Sequence, residues 1–367
     1  MRTMGPMSTF DLSSLSLPIV QAPMAGGPST PALAAAVSDA GGLGSLATGY
    51  LSAEAAESQL EEFRSLSDGP VAVNVFVPEA HASAQPDVHA YRDALAAWAS
   101  SAALHGAIPP VPVPGDTDRQ TFSAILTMLV RTAPDVVTFT FGLPDGESIA
   151  RLQAAGITVG VTVTSLAEAR AAVGHGADVL IAQGVEAGGH RSQFDQGEQP
   201  NEIPTVSLTL TLAEELSVPV IGAGGVDGAV TAGALLDAGA AAVQVGTLFL
   251  TTDEAGTKPT HRAALLRRDG RRTVVTRVFT GRPARALENR FTAEMAQHAV
   301  TGYPEVHVLT GGIRSEAAAQ DDPEHLHLWA GTGYAACAEE SAASVLARFS
   351  PLRRDGDVAS RGDRPTS

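Results

Sequence analysis

Short apolar runs recur along this chain, and most are followed by a segment whose apolar positions fall three and four apart. The runs are Leu17–Met24, Leu43–Leu46, Val71–Val77, Val136–Phe141, Thr158–Val163, Val179–Gln183, Val218–Ala223 and Ala241–Val245. Each is short and apolar on both faces, the pattern of a strand covered on both sides. The segments between them predict helices over Ala32–Ala40, Ala53–Ser65, Arg119–Arg131, Glu147–Ala155, Ser165–Val173, Leu208–Leu216 and Asp227–Asp237. Ser29 or Thr30 ahead of Pro31, then Ser52 and Ser165, read as N-caps, and Gly41-Gly42 stops the first helix. An open doubly wound sheet gives the same local pattern. Eight alternations of strand and helix predict an α/β fold closed as a TIM (β/α)8 barrel.

Two stretches break the rhythm. Residues 79–120 form an insertion after the third strand, with a helix over Asp87–Ser101. Ile108–Pro114 has four prolines, so it reads as an extended connector and not as an interior strand. Past residue 250 the pattern changes again. Thr273–Thr280 predicts an added strand, and Arg285–Gln297 and Ala335–Arg348 predict helices. Residues 251–350 are therefore expected to make a C-terminal helical extension over the barrel mouth. Residues 1–16 read as a loosely packed leader, and 354–367 as a charged, disordered tail. The chain, 1–367, is expected to be one barrel domain carrying these additions.

Charge narrows the function. With 24 basic and 40 acidic residues the net charge is −16, which repels phosphate backbones and argues against a nucleic-acid partner. One cysteine, Cys337, excludes an internal disulfide and a multi-cysteine metal site. No metal is expected, although His325-Leu-His327 has a spacing that can ligate one on a strand. Lys258 is the only lysine and sits in Gly256-Thr-Lys-Pro259, a turn-like setting that disfavours a Schiff-base role. No run approaches the ~20 apolar residues of a membrane span, and Met1–Ser16 lacks the features of a secretory signal. A cytoplasmic location with no membrane partner is the expectation.

The chemistry concentrates at Asp178–Arg191. This stretch runs from a strand into Gln183, then Gly184, Gly188 and Gly189, then His190. Such a loop presents Gln183 and His190 at the carboxyl end of a barrel strand, where α/β barrels keep their active sites. It can also be a glycine turn with a structural histidine. The seventh strand runs into Gly222-Ala-Gly-Gly-Val-Asp-Gly228 and the eighth into Gln244-Val-Gly-Thr247. The first is one residue too long for a dinucleotide fingerprint, and no Walker A sequence is present. Two glycine turns on successive strand ends predict a bound phosphate group. The alternative is a pair of tight turns with no ligand.

Gln21-Ala-Pro-Met-Ala-Gly26, Val73-Asn-Val-Phe76, Gln183–Arg191, Ile221-Gly-Ala-Gly-Gly225 and Gln244-Val-Gly-Thr247 together resemble the nitronate monooxygenases. These are FMN enzymes formerly grouped as 2-nitropropane dioxygenases, and the resemblance spans roughly residues 17–335. FMN-dependent enoyl-acyl-carrier-protein reductases share the Glu-Ala-Gly-Gly-His piece. The resemblance implies FMN as cofactor, with Met24 and Asn74 against the flavin and Gln183 and Gly188 near its ring edge or ribityl chain. It places Gly225, Gln244, Val245, Gly246 and Thr247 at the phosphate, and His190 as the catalytic base. Phe141, Gly142 and Trp329 would line the substrate side. Leu328–Gly333 matches the family's tail only in part, with Thr332 where a Gln is common. The pocket lysine of some members has only Lys258 to supply it.

The implied reaction is oxidation of an alkyl nitronate or nitroalkane by O₂ to a carbonyl compound and nitrite. An imidazole with its ordinary pKa near 6.5 would remove the proton α to the nitro group and carry positive charge beside the nitronate. The implied partners are thus a small nitro compound and O₂, in a chain free to form a homo-oligomer. An NAD(P)H-dependent enoyl-thioester or quinone reductase on the same barrel is the rival reading. A flavin-binding protein without turnover is a third.

Overall fold

All eight apolar runs become barrel strands in the computed structural model, which describes residues 10–78, 85–112 and 117–354. In chain order the strands are β1 (Ile19–Gln21), β2 (Gly44–Ala47), β3 (Val71–Phe76), β4 (Val136–Thr140), β5 (Thr158–Val163), β6 (Val179–Gln183), the two-residue β7 (Gly189–His190), β8 (Val220–Ala223) and β9 (Ala242–Val245). All but β7 pair in parallel in the order β1-β9-β8-β6-β5-β4-β3-β2. The ring closes where Gln21 N–H donates to Leu43 O and Leu43 N–H donates to Ile19 O, both at 2.9 Å.

Eight helices alternate with these strands or extend the connections between them: α1 (Pro31–Asp39), α2 (Ala53–Leu66), α3 (Gln85–Ser101), α4 (Thr117–Thr132), α5 (Gly146–Ala154), α6 (Leu166–Gly174), α7 (Thr205–Glu215) and α8 (Ala229–Asp237). The expected caps form. Thr30 accepts from Leu33 N–H at 3.0 Å, and Ser165 accepts from Glu168 N–H at 3.2 Å. The helices that cover the barrel bury one stripe on the strands. Leu33 and Val37 of α1 pack with Ile19 and Val243, and Leu60 and Phe63 of α2 pack with Val71 and Val73. Each such side chain contributes about 1.5–3 kcal/mol by leaving water.

Polar residues inside the barrel are tied rather than stranded. Gln21, fully buried, donates to Ser29 Oγ and Ser45 O at 3.0 Å and accepts from Ser45 N–H at 3.1 Å. Asn74 donates to Thr138 Oγ1 at 3.0 Å and Thr140 Oγ1 at 2.9 Å. A polar residue in a central strand is tolerated because its hydrogen bonds are made.

The described part of the leader corrects the expectation of loose packing. Leu12 and Leu15 are buried with Val20, Ala72, Val136 and Val179, and so close the amino end of the barrel. Beyond Arg354 the expected disordered tail lies outside the described residues, as do 79–84 and 113–116 of the insertion.

After β9 come α9 (Pro259–Leu266), β10 (Thr273–Thr276), β11 (Ala284–Leu287), α10 (Arg290–Glu294), α11 (Glu305–Leu309), α12 (Gly311–Ala319) and α13 (Ala342–Ala347). The expected helix Arg285–Gln297 is replaced by strand β11 and the short α10. Ala284, Ala286 and Leu287 are buried by strand pairing, and Asn289 then caps α10 by accepting from Thr292 N–H at 3.0 Å. The expected Ala335–Arg348 helix starts only after Ser341, which caps α13. The predicted Thr273–Thr280 strand stops at Thr276, and the turn after it leads into β11. Helix α3 of the insertion packs on this appended region, with Val88, Tyr91 and Leu95 among Val278, Phe279, Phe291, Val306 and Leu309.

Candidate active site

The carboxyl ends of the strands open into a cavity of about 470 Å³, roofed by the appended region. That size falls within the ~300–1,000 Å³ usual for small-ligand and cofactor sites. A more open depression of about 700 Å³ lies at the amino ends of the strands, bordered by Leu15, Gly42, Pro70 and Asp135. It contains neither glycine turn and no histidine, so the chemistry points to the smaller cavity.

His190 stands on β7, which is held from both sides. Strand β11 pairs with it antiparallel, Ala284 opposite His190 and Arg285 opposite Gly189, and β11 pairs in turn with β10. From the barrel side, the Gln183 amide donates to His190 O at 3.0 Å and accepts from Ser192 N–H at 2.8 Å. Gln183 thus clamps the backbone flanking the histidine while also lining the cavity. The imidazole Nε2 lies 2.9 Å from Thr280 Oγ1, and the ring meets Phe141 and Trp329 at 5.4 and 5.3 Å between centroids.

Burial pushes the His190 pKa down to about 3, and the charges of Arg282, His307 and Arg314 push the same way. This corrects the expectation of an ordinary imidazole: at neutral pH the ring is uncharged. The positive charge in the cavity comes instead from Arg314 on α12 and Lys258 at the start of α9. Arg314 donates to Thr310 Oγ1 at 3.1 Å and His307 O at 2.6 Å. Lys258 has no carboxylate within ion-pair distance among the described residues, and no Asp or Glu lines the cavity. In a chain of net charge −16, the fixed charges facing this space are all positive.

The two glycine turns follow the neighbouring strands β8 and β9 and line the same cavity. Gly224 and Gly225 have φ of +132° and +71°, and the loop leads into α8. Among the described residues, the N–H groups of Gly225, Val226 and Gly246 donate to no protein acceptor. Unpaired backbone donors beside a helix N-terminus suit an anion. Thr247 Oγ1 accepts from Gly331 N–H at 3.0 Å, which ties the tail onto this cradle. Backbone packs closely there. A Cβ on Gly188 would lie 2.4 Å from Gly331 N and 2.6 Å from Ala330 C. Gly188→Ala is therefore expected to destabilise the protein by about 1–3 kcal/mol and to lower the flavin retained on purification. A thermal melt and a visible spectrum check this; an unchanged melt and full flavin content would contradict it.

Of the residues singled out in the sequence, Met24, Asn74, Phe141, Gln183, Gly188, His190, Gly225, Gln244, Gly246, Thr247 and Trp329 line the cavity. Val245 is buried in the core instead, and Gly142 packs toward Val77. Glu186 accepts from Thr205 N–H and Oγ1 at 2.9 and 2.6 Å, so it anchors α7 and does not orient His190. His325 pairs with Asp322 while His327 faces the cavity, and the described residues hold no metal-binding cluster. Arginines 262, 271 and 272 are ion-paired at the surface of the appended region. Sequence reasoning missed Thr280, His307 and Arg314, and read Lys258 as part of a turn.

Fold and site together define an α/β-barrel enzyme with its cavity at the carboxyl ends of the strands. The chain belongs to the nitronate monooxygenase family of flavin-dependent oxidoreductases, whose family model, described as nitronate monooxygenase, matches residues 10–348. It is similar to the nitronate monooxygenase of Paraburkholderia phytofirmans, at 38% identity over 350 residues and 94% of each chain. Its structure is similar to that of a nitroalkane oxidase from Streptomyces ansochromogenes, with a TM-score of 0.85 at 42% identity, covering 93% of this chain and 98% of that one. FabK from Thermotoga maritima is a more distant likeness, with a TM-score of 0.71 at 25% identity over 93% and 94% of the two chains. No helix among the described residues is long and apolar enough to cross a membrane.

Proposed function

We propose that this protein binds FMN in the cavity and uses O₂ to oxidise alkyl nitronates and nitroalkanes to a carbonyl compound and nitrite. One observation carries the reading. A neutral, buried imidazole faces a space whose fixed charges are all positive, beside a cradle of unpaired backbone donors. FMN suits the single cradle, with Gly225 and Gln244–Thr247 at its phosphate. Met24, Asn74, Gln183 and Gly188 lie along the wall toward the rest of the flavin. FMN, when bound, supplies the electron-transfer chemistry.

The chain's own residues bind and deprotonate. Arg314 and Lys258 draw in an anionic nitronate and hold it by charge. Phe141 and Trp329 confine its alkyl part. For a neutral nitroalkane, His190 accepts the proton α to the nitro group. A buried neutral imidazole resists that proton until the nitronate forms beside it, and the resulting ion pair offsets the cost of charging the ring.

The site is proposed to work in the cytoplasm, within one barrel unit comprising the whole chain. The test is anaerobic mixing of the purified protein with ethylnitronate, propionate 3-nitronate and NADPH in parallel. The expected outcome is rapid bleaching of the flavin by the nitronates and none by NADPH. Bleaching by NADPH alone would make the protein a nicotinamide-dependent reductase. A flavin inert to all three would make it a binding protein.

A further inference from the structure

The imidazole of His190 has two nitrogens, and only the one without a proton can act as a base. The surroundings of Thr280 decide which one that is. Thr280 Oγ1 lies 2.9 Å from His190 Nε2, 3.2 Å from Arg282 O and 3.4 Å from Arg282 N. A carbonyl oxygen only accepts, so the contact with Arg282 O is satisfied only when the single hydroxyl proton of Thr280 points there. The lone pairs of Oγ1 then face Arg282 N–H and His190 Nε2. The second contact is a hydrogen bond only if Nε2 carries a proton.

The arrangement is fixed in place. Thr280 is buried at 1% exposure where it borders the cavity. The Arg282 guanidinium lies 4.2 Å over the Phe141 ring and donates to Arg191 O and Gln193 O, both just beyond the strand carrying His190. His190 Nδ1 makes no hydrogen bond among the described residues and is not enclosed by protein.

We propose that Thr280 is a positioning residue that holds His190 as the Nε2–H tautomer and leaves Nδ1 as the basic atom facing the substrate. The proposal deepens the reading of His190 as a base and rests on it for its kinetic consequence.

The test combines a spectroscopic and a kinetic measurement on the flavin-loaded protein. With ¹⁵N-labelled histidine, the His190 signals are assigned by their loss in His190→Asn. The wild type is expected to show a protonated Nε2 and an unprotonated Nδ1 at neutral pH. Thr280→Val should abolish or mix that pattern and lower turnover of neutral nitroethane by about 10- to 10⁴-fold, with a much smaller loss on ethylnitronate. Thr280→Ser should restore both. A wild-type spectrum with the proton on Nδ1 overturns the proposal even if no Thr280 variant folds. So does a Thr280→Val spectrum identical to wild type. If His190 is not the base, His190→Asn turns over nitroethane normally, an outcome independent of the tautomer spectrum.

Discussion

His190→Asn should lower turnover of neutral nitroalkanes by about 10²–10⁴-fold, the usual contribution of a positioned general base. That is roughly 3–5 kcal/mol on the barrier. Asn fills a similar space but accepts no proton at this pH. The backbone around it stays clamped, because Gln183 holds the carbonyl of residue 190 and β11 pairs with β7 whatever the side chain. Preformed nitronates have already lost the α proton and need no base. Since the resting imidazole is neutral, the substitution removes a base without removing a charge. The cations that attract a nitronate, Arg314 and Lys258, remain. Steady-state rates on nitroethane and ethylnitronate, measured side by side, should therefore diverge. Equal losses on the two would remove His190 from the role of base.

Acid should unfold this protein earlier than its carboxylates alone would dictate. Four imidazoles around the cavity are held neutral by burial: His190 and His307 are pushed down to about 3, His261 to about 4, and His327 well below its ordinary value. In the unfolded chain each titrates near 6.5. Below that pH the unfolded state binds protons that the fold refuses, so stability falls as pH falls. Because the folded values are depressed, stability is intact above about pH 6.5 and declines as pH drops toward 3 to 4.

Each such histidine costs about 1.4 kcal/mol per pH unit within that window. Four give a slope of roughly 5 kcal/mol per unit before discounting. Water in the cavity reduces the share of those that face it. Even half that slope is large against the ~5–15 kcal/mol of a typical fold. Urea midpoints at pH 7.5, 6.0 and 5.0 should fall steeply. His261→Gln combined with His327→Gln should flatten the dependence. A midpoint constant down to pH 4.5 would show that the four rings accept protons in the fold.

The barrel was legible because strands covered on both faces must be apolar throughout, and eight of them recur. The cradle was legible for a related reason: a backbone that approaches an anion closely needs glycine, as at Gly225. His190 was legible because it follows such a turn. What holds it was not. β7 has two residues, too few for any period, and its partner β11 lies more than ninety residues downstream. Residues 285–297 carry enough helix-forming side chains to read as one helix, and only pairing with β7 and β10 makes the first part a strand. Lys258 read as a turn residue because it precedes Pro259. It reaches the cavity because its loop packs on the one after β1, with Gly256 N–H donating to Pro28 O at 3.3 Å. Its status as the chain's sole lysine was a visible signal. The spacing of His307 and Arg314 on short helices carried none. The imidazole pKa was misjudged because burial is a tertiary property.

The pairing of β7 with β11 divides this molecule into a frame and a tool. A chain ending at Thr251 would contain every barrel strand and both glycine turns, yet its histidine would hang on a loop with no neighbouring strand and no hydroxyl beside the ring. In chain order both glycine turns precede the hairpin that pairs with the histidine's strand. The hairpin can therefore change sequence, and with it the surroundings of the imidazole, while the barrel frame stays as it is.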